Sequence, residues 1–171
     1  KMILPNTFIA GAQKSGTTSL CEYVARHPEC LMSIPKEPGF LSKEANWTEI
    51  GKYAEFFSEA EKKDFKCIVD GSSFYLFNAK LPQIIHDKVS PDCRFVFILR
   101  DPVERMISAY WHQYKKGNDK RGVEDVFEFT ATDISDALRE EQIRIEGPVK
   151  EGAVNTGFYY GRYDDVEWNF R

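Results

Sequence analysis

The sequence predicts an α/β fold in which helices flank a central parallel sheet. Three short apolar segments, 7–11, 66–70 and 94–99, have the length and composition of buried strands, and segments of helical character separate them. Strands that alternate with helices favour a parallel sheet, because each parallel strand requires a crossover connection before the next one. The 171 residues are enough for one domain with a hydrophobic core.

The first strand and the first helix are predicted at 7–11 and 17–27. The strand is apolar and ends at a glycine, and the helix stops before Pro28, because proline cannot continue it. One face of the helix carries apolar residues at helical spacing, namely Leu20, Tyr23 and Val24. We expect this face to pack against the sheet.

The middle of the chain predicts two strands and two helices. The strands are 31–34 and 66–70, and the helices are 53–57 and 80–89, as judged from apolar runs and helical periodicity. A polar loop with two prolines, 35–40, follows the first of these strands. This order continues the alternation of strands and helices.

The last predicted strand, 94–99, carries the clearest strand signal in the chain. Its sequence Arg-Phe-Val-Phe-Ile-Leu is almost wholly apolar, which is typical of a strand that is covered on both faces. The pair Asp-Pro follows at 101–102, and a long helix is predicted at 103–116. We therefore expect both faces of this strand to be buried.

Composition excludes several kinds of partner. The net charge of −4 gives no overall positive field, so nucleic acid is not an expected partner and any anion site must be local. No apolar run approaches the ~20 residues that cross a bilayer, and no signal peptide opens the chain. We expect no membrane contact from this segment, although a longer parent chain could carry an anchor upstream.

The cysteines leave two interpretations open. They lack the C-x-x-C spacing of metal sites, so no metal site is predicted. Buried thiols are one interpretation, and a disulfide, which requires an oxidising compartment, is the other. The four residues are Cys21, Cys30, Cys67 and Cys93.

The segment 11–19, Gly-Ala-Gln-Lys-Ser-Gly-Thr-Thr-Ser, predicts a strand-to-helix loop that binds a phosphate or sulfate group. Glycine lets successive N–H groups point at one spot, and the helix start adds unpaired N–H groups and the positive end of its dipole. Lys14 adds a positive charge. Hydroxyl donors follow it at Ser15, Thr17, Thr18 and Ser19. The alternative is an ordinary turn in which a threonine caps the helix.

The spacing within this loop argues against a nucleoside triphosphate as its ligand. A triphosphate-binding loop reads G-x-x-x-x-G-K-[ST]. Gly11 and Gly16 keep the glycine spacing, but Thr17 follows the second glycine and the lysine lies earlier, at Lys14. A P-loop nucleotide kinase or hydrolase is weakened by this departure and is kept as an alternative.

The residues Gln-Lys-Ser-Gly-Thr-Thr-Ser-Leu at 13–20 resemble the 5′-phosphosulfate loop of sulfotransferases, which use 3′-phosphoadenosine 5′-phosphosulfate (PAPS). Relatives commonly begin this loop with Pro or Arg, so Gln13 is a mild departure. The resemblance implies a P-loop-like sheet. It also suits Lys14 to the role of the cation near the leaving oxygen of the donor. It implies a 5′-phosphosulfate site formed by Gln13, Lys14, Ser15, Gly16, Thr17, Thr18 and Ser19.

A second segment, 95–110, combines a strand, a sharp turn and a helix. Arg100 ends the strand, where ligands bind in open α/β sheets, and Ser108 lies about two helical turns further on. Taken alone, this pattern also fits an Arg–Asp turn that caps a helix. The sequence Leu-Arg-Asp-Pro-Val-Glu-Arg-x-x-Ser-x-Tyr resembles the 3′-phosphate-binding segment of the same family, which implies that Arg100 and Ser108 bind the 3′-phosphate of PAPS.

The resemblance also implies a catalytic base, Glu37. Pro-Lys-Glu-Pro-Gly-Phe at 35–40 resembles the Lys-Glu-x-x-Phe-Phe segment of Golgi glycan sulfotransferases, especially those acting on heparan sulfate, where the glutamate is the proposed base. Gly39 and Leu41 depart from the residues that relatives carry. The alternative for Glu37 is an exposed loop glutamate.

Three further features bear on the acceptor. Asp-Gly-Ser-Ser-Phe-Tyr at 70–75 resembles the family's Lys-Thr-Pro-x-Tyr stretch beside the acceptor, but it lacks the lysine. His112 matches a histidine of the N-sulfotransferase branch, where it would support the acceptor or assist proton transfer; a surface histidine is the alternative. The basic residues within 115–121 suit a polyanionic glycan or, equally, a solvated loop.

Together these segments imply a single sulfotransferase domain over residues 1–171, with further family-like segments at 157–163 and 166–170. We expect an enzyme that moves a sulfuryl group from PAPS to a hydroxyl or amine and releases adenosine 3′,5′-bisphosphate (PAP). The acceptor is a glycan or a small hydroxylated molecule. A noncatalytic nucleotide- or glycan-binding module is a further alternative.

The ends and the compartment are also inferred by resemblance. The chain stops at Arg171, where relatives continue into a loop that closes over the adenine, so we expect the C-terminal cofactor lid to be missing and PAPS binding by these residues alone to be weakened. The sequon Asn46-Trp47-Thr48 and the resemblance favour the Golgi lumen. A cytoplasmic location is the alternative.

Overall fold

A computed structural model of the chain describes residues 2–128 and residue 139. Four parallel strands form one sheet in the order β2-β3-β1-β4. The strands are Thr7–Gly11 (β1), Cys30–Met32 (β2), Cys67–Asp70 (β3) and Arg94–Phe97 (β4). A parallel sheet with helices around it confirms the predicted α/β fold.

Helices connect the strands and follow the last one. In the described part of the chain the α-helices are Thr17–Ala25 (α1), Ile50–Tyr53 (α2), Leu81–Lys88 (α3), Pro102–Lys115 (α4) and Val123–Phe127 (α5). The 3₁₀ helices are Phe40–Ser42, Glu44–Thr48, Ala54–Glu61 and Tyr75–Phe77. Most predicted bounds are right to within two residues, but the helix predicted at 53–57 is the end of α2 and the start of a 3₁₀ helix. Between residues 2 and 128 no helix has the length and apolarity to cross a membrane.

The chain divides into two compact units, residues 1–99 and residues 100–171. The first unit contains the sheet with α1, α2 and α3, and the described part of the second contains α4 and α5. The assignment of residues 1–171 to one domain stays a prediction. The family-like segments predicted near the end of the chain, and the expected absence of a lid, lie outside the described residues.

Aromatic side chains fill the core on one face of the sheet. Phe8 of β1 and Tyr53 of α2 are fully buried there. The ring of Phe40 stacks on that of Tyr53 with centroids 5.1 Å apart, and Phe57 meets Tyr53 edge to face at 5.3 Å. The high aromatic content of the sequence, 14%, is therefore used to build this core.

Helix α1 packs on the opposite face of the sheet. Alternate residues of a strand point to opposite faces, so Ile9 joins this second cluster while its neighbour Phe8 belongs to the first. Leu20 and Val24 pack here as predicted. The prediction that Tyr23 packs on the same face is wrong, because its side chain is 68% exposed.

The four cysteines are free thiols. Cys21 is a buried residue of α1, and Cys30 and Cys67 lie opposite each other on β2 and β3. Burial raises the pKa of the thiols of Cys21, Cys30 and Cys93. The buried-thiol interpretation therefore holds for Cys21, whereas Cys30, Cys67 and Cys93 are half-buried free thiols.

The strand β4 departs from the sequence-based expectation. It is the outer strand of the sheet and, among the described residues, pairs only with β1. Phe95, Val96 and Phe97 are 39%, 38% and 49% exposed. The prediction that both faces of this strand are covered is wrong for the described part of the molecule, because an apolar sequence does not reveal which strand lies at the edge.

Asp70 ends β3, and its carboxylate has no exposed surface. It accepts hydrogen bonds from the hydroxyl of Tyr53, from the hydroxyl of Tyr75 at 3.1 Å and from the backbone N–H of Ser72 at 2.8 Å. Burial raises the pKa of Asp70, since it disfavours the charged form, although these hydrogen bonds oppose the shift. Burial likewise raises the pKa of both tyrosines, so they remain donors.

Asp70→Ala should destabilise the protein by about 3 kcal/mol or more, because it leaves two buried tyrosine hydroxyls and one backbone N–H without their acceptor. Urea-induced unfolding measures the change. The matched control is Asp92→Ala, since Asp92 is exposed, and it should change the free energy of unfolding by less than about 0.5 kcal/mol. Equal effects of the two substitutions would contradict the role given to Asp70.

Candidate active site

Three loops of the first unit follow the carboxyl ends of β1, β2 and β3. In the sheet, β3 and β1 are neighbours and β2 lies beside β3. The loops that follow these strands contain residues 12–16, 33–39 and 71–74. Because the strands are parallel, the loops emerge at one edge, which is where open α/β sheets bind ligands.

Helix α1 begins without a side-chain cap. Its N-cap residue is Gly16, whose φ of 97° lies in the left-handed region that residues with side chains rarely adopt. No atom beyond its chain neighbours lies within 4 Å of the place of a Cβ, so the backbone conformation and not the available space requires glycine. The predicted alternative of a threonine cap is wrong, because Thr17 is already the first helical residue. The N–H groups of the first turn therefore face outward as donors.

The turn before α1 holds two residues in costly states. The hydroxyl oxygen of Ser15 is buried and, within the described residues, has no hydrogen-bond partner. Leaving such a group unsatisfied costs about 1–3 kcal/mol. Lys14 has a φ of 65°, which is uncommon for a residue with a side chain. An oxyanion in this turn would satisfy Ser15, so residues 13–19 fit a phosphate or sulfate group.

Glu37 lies in the loop after β2 with its carboxylate held from two sides. Its Oε1 accepts a hydrogen bond from Ser73 Oγ at 3.2 Å and lies 2.6 Å from Lys36 Nζ. The side chain is 31% exposed. The two contacts orient the carboxylate, and the role of Glu37 as the base stays a prediction.

The stretch after β3 supports the loop that carries Glu37. The Ser72 hydroxyl oxygen accepts from the backbone N–H of Gly39 at 3.0 Å, and the Tyr75 hydroxyl oxygen accepts from that of Leu41 at 3.2 Å. Residues 70–75, which resemblance placed beside the acceptor, thus make contacts that also build the loop. Sequence reasoning missed this role, since the partners lie more than thirty residues apart in the chain.

The sequon residues hold the same loop from its other end. The side-chain nitrogen of Asn46 donates to the carbonyl of Phe40 at 2.6 Å, and the indole N–H of Trp47 donates to the carbonyl of Leu41 at 2.8 Å. The amide nitrogen that a glycan would modify is therefore engaged in a backbone contact. These contacts favour a structural role for the sequon residues in the turns at 40–48 over a role as a glycosylation site.

Lys36 connects the loop of Glu37 with the start of α1. Its Nζ lies 3.2 Å from the hydroxyl of Thr18 and 2.6 Å from Glu37 Oε1. The side chains of Thr18, Lys36 and Glu37 therefore form one continuous set of contacts between the start of α1 and the loop after β2. Lys36 belongs to the Lys-Glu motif, but no local pattern in the sequence indicates its contact with Thr18, 18 residues away.

In the second unit, the predicted residues Ser108 and His112 lie on one face of α4, and Arg100 precedes the helix. Asp101 caps the helix by accepting from the N–H groups of Val103 and Glu104, both at 3.0 Å, as the Arg–Asp turn alternative expected. Arg100 Nε pairs with Glu104 Oε2 at 3.1 Å. Residues four apart on a helix share a face, so Ser108 and then His112 continue the row that begins at Glu104.

The basic residues at the end of α4 and just after it are not equivalent. Lys115, Lys116 and Lys120 are exposed. Arg121 pairs with the buried carboxylate of Asp119 at 2.8 Å. Of this cluster, the lysines are therefore the side chains placed for a solvent-borne partner.

Comparisons with known proteins agree on one family. The family model described as "Sulfotransferase domain" matches residues 4–160. The chain is 30% identical over 141 residues to the membrane-associated sulfotransferase kil1 of Dictyostelium discoideum, covering 80% of this chain and 29% of that protein. It is 30% identical over 115 residues to the bifunctional heparan sulfate N-deacetylase/N-sulfotransferase 3 of Mus musculus, covering 64% and 13%.

Further relatives extend this picture. The heparan sulfate glucosamine 3-O-sulfotransferase 6 of Homo sapiens is 27% identical over 106 residues, which cover 62% of this chain and 30% of that protein. A crystal structure of a sulfotransferase from Alicyclobacillus acidocaldarius shares the fold, with a TM-score of 0.58 and 24% identity over 81% of this chain and 60% of that one. The chain spans less than a third of the length of these curated relatives.

Ser15→Ala should leave the ligand-free protein as stable as the wild type, or more stable by up to about 1 kcal/mol, because it removes a buried hydroxyl without a partner. Ser33→Ala is the matched control, since its buried hydroxyl donates to the carbonyl of Lys36 at 2.9 Å. The control should lose about 1 kcal/mol. Urea unfolding compares the two variants, and an equal loss in both would show that Ser15 has a partner in the free protein.

Proposed function

The chain belongs to the sulfotransferase family, and we propose that it transfers a sulfuryl group from PAPS to a hydroxyl or amine acceptor, releasing PAP. The observation that supports this donor best is the uncapped start of α1 beside the buried, unpartnered hydroxyl of Ser15. A 5′-phosphosulfate would satisfy both features. The departure from the triphosphate-loop spacing favours PAPS over a nucleoside triphosphate.

Residues 13–19 are proposed to hold the 5′ side of the donor. When bound, PAPS supplies a sulfuryl group that is activated by its bond to the 5′-phosphate. Backbone N–H groups at the start of α1 and the hydroxyls around them bind its oxygens, and the helix dipole adds to the attraction. Lys14 stabilises the negative charge that develops on the leaving oxygen. These groups are in place before the donor arrives, which lowers the cost of organising the site.

Arg100 and Ser108 are proposed to hold the 3′-phosphate. The pair between Arg100 and Glu104 is solvent-exposed, with side chains 40% and 64% exposed. Such pairs contribute only about 0–1 kcal/mol. A phosphate that accepts two parallel hydrogen bonds from the guanidinium can therefore displace Glu104. The hydroxyl of Ser108 supplies a further donor.

Glu37 is proposed as the base that removes the acceptor's proton. Both contacts of its carboxylate with other described residues fall on Oε1, from Ser73 and from Lys36. In this proposal Oε2 takes the acceptor's proton, since a general base requires a lone pair aimed at the proton it takes. His112, on α4, is proposed to support the acceptor or assist the proton transfer.

A glycan is the proposed acceptor, with a small hydroxylated molecule as the alternative. Two of the relatives carry heparan sulfate in their names. The exposed lysines Lys115, Lys116 and Lys120 give a local positive patch on a chain whose net charge is −4. A lumenal Golgi location would follow from such an acceptor, and a cytoplasmic one from a small metabolite.

Arg100→Ala should weaken PAP binding about 10- to 100-fold, because a hydrogen bond to a charged group contributes about 1.5–3 kcal/mol. Isothermal titration of the full-length protein with PAP and with ATP–magnesium measures this. The wild type should bind PAP more tightly than ATP–magnesium, and the control Arg26→Ala, at the end of α1, should leave both affinities unchanged. Tighter binding of ATP–magnesium than of PAP, or an unchanged PAP affinity in Arg100→Ala, would contradict the proposed donor.

Glu37→Gln should lower the rate of sulfuryl transfer about 10²- to 10⁴-fold, since a positioned base contributes about that much. PAP affinity should stay within a factor of about three, because the amide keeps the shape of the side chain. Glu49→Gln is the matched control, as Glu49 also pairs with a lysine, Lys52, at 2.8 Å. Unchanged turnover in the Glu37 variant would exclude it as the base.

A further inference from the structure

The side chain of Lys36 bridges two loops that carry the proposed chemistry. Its ammonium nitrogen lies 2.6 Å from Glu37 Oε1 and 3.2 Å from Thr18 Oγ1. Thr18 belongs to the first turn of α1, in the loop proposed to hold the phosphosulfate. The side chain is 32% exposed, so it is partly shielded and still open to a ligand.

Besides its pair with Glu37, Lys36 lies beside a helix start that has no anionic side chain of its own. The start of an α-helix carries partial positive charge, which repels a neighbouring cation. The first turn of α1 contains no acidic residue that would offset this repulsion. An anion bound at the helix start would attract both the dipole and the ammonium group of Lys36.

The backbone of Lys36 is held by a hydrogen bond within its own loop and lies close to Gly71, the residue after β3. Its carbonyl oxygen accepts from the hydroxyl of Ser33 at 2.9 Å. A Cβ added at Gly71 would lie 2.9 Å from the same oxygen, which is closer than real Cβ contacts come. Residue 71 therefore cannot project a side chain here, and Lys36 is the cation that this part of the site receives from the loop after β2.

We propose that Lys36 is a binding residue for the sulfuryl group of the donor, an inference that rests on the proposed function. With PAPS bound, its ammonium group exchanges Thr18 for a sulfuryl oxygen and keeps its contact with Glu37. Lys36 stays protonated, and Glu37 receives the acceptor's proton. One side chain thus neutralises charge on the group in transfer and holds the base beside it.

The test compares donor and product binding. PAPS carries the sulfuryl group and PAP does not, so Lys36→Met should weaken PAPS binding about 10- to 100-fold while PAP affinity changes less than about three-fold. Isothermal titration without an acceptor measures both in the full-length protein. Lys36→Arg keeps the charge and should recover part of the PAPS affinity. Lys52→Met, which also removes a lysine paired with a glutamate, is the matched control and should change neither affinity.

The outcomes separate this inference from the proposed function. An equal loss of PAPS and PAP affinity in Lys36→Met would overturn it, since the lysine would then serve the phosphate or the loop structure. Unchanged PAPS binding would overturn it as well. Failure of the wild type to bind either nucleotide would instead refute the proposed function on which the inference rests. Thermal unfolding of each variant shows whether the fold is retained.

Discussion

Asp70 ends the central strand β3 with a carboxylate that has no exposed surface, and the loops of the candidate site are built around it. A charge in that position is tolerable only when donors surround it, and two tyrosines and a backbone N–H do so. The hydroxyl oxygen of one of these tyrosines, Tyr75, also accepts a hydrogen bond from the backbone N–H of Leu41, just after the loop that carries Glu37. The orientation of Glu37 therefore depends on a buried polar network several residues away from it.

The second element of the site is a helix start that is left chemically open. Gly16 permits the sharp entry into α1 but offers no side chain to cap it, and Ser15 is left buried without a partner. Both features cost stability in the free protein and would be compensated by an anion. Local features that cost stability are typical of functional sites. Family membership gives this open helix start its proposed meaning as a phosphosulfate loop.

Local signals in the sequence predicted most of the fold, whereas contacts between distant loops escaped them. Apolar runs and glycine or proline boundaries located β1 and α1, because these signals arise within a few residues. The exposure of β4 depends on its place at the edge of the sheet, which its composition does not encode. The bond from Ser73 to Glu37 joins residues 36 positions apart, so no local pattern announces it.

The proposed function depends on binding of the donor at the start of α1. A titration of the ¹⁵N-labelled full-length protein with PAP, followed by the chemical shifts of backbone amides, tests it most directly. We expect the largest shifts at residues 15–19, whose N–H groups would bind the 5′-phosphate, and unchanged shifts in α3, Leu81–Lys88. Shifts centred elsewhere in the first unit, with residues 15–19 unaffected, would contradict it.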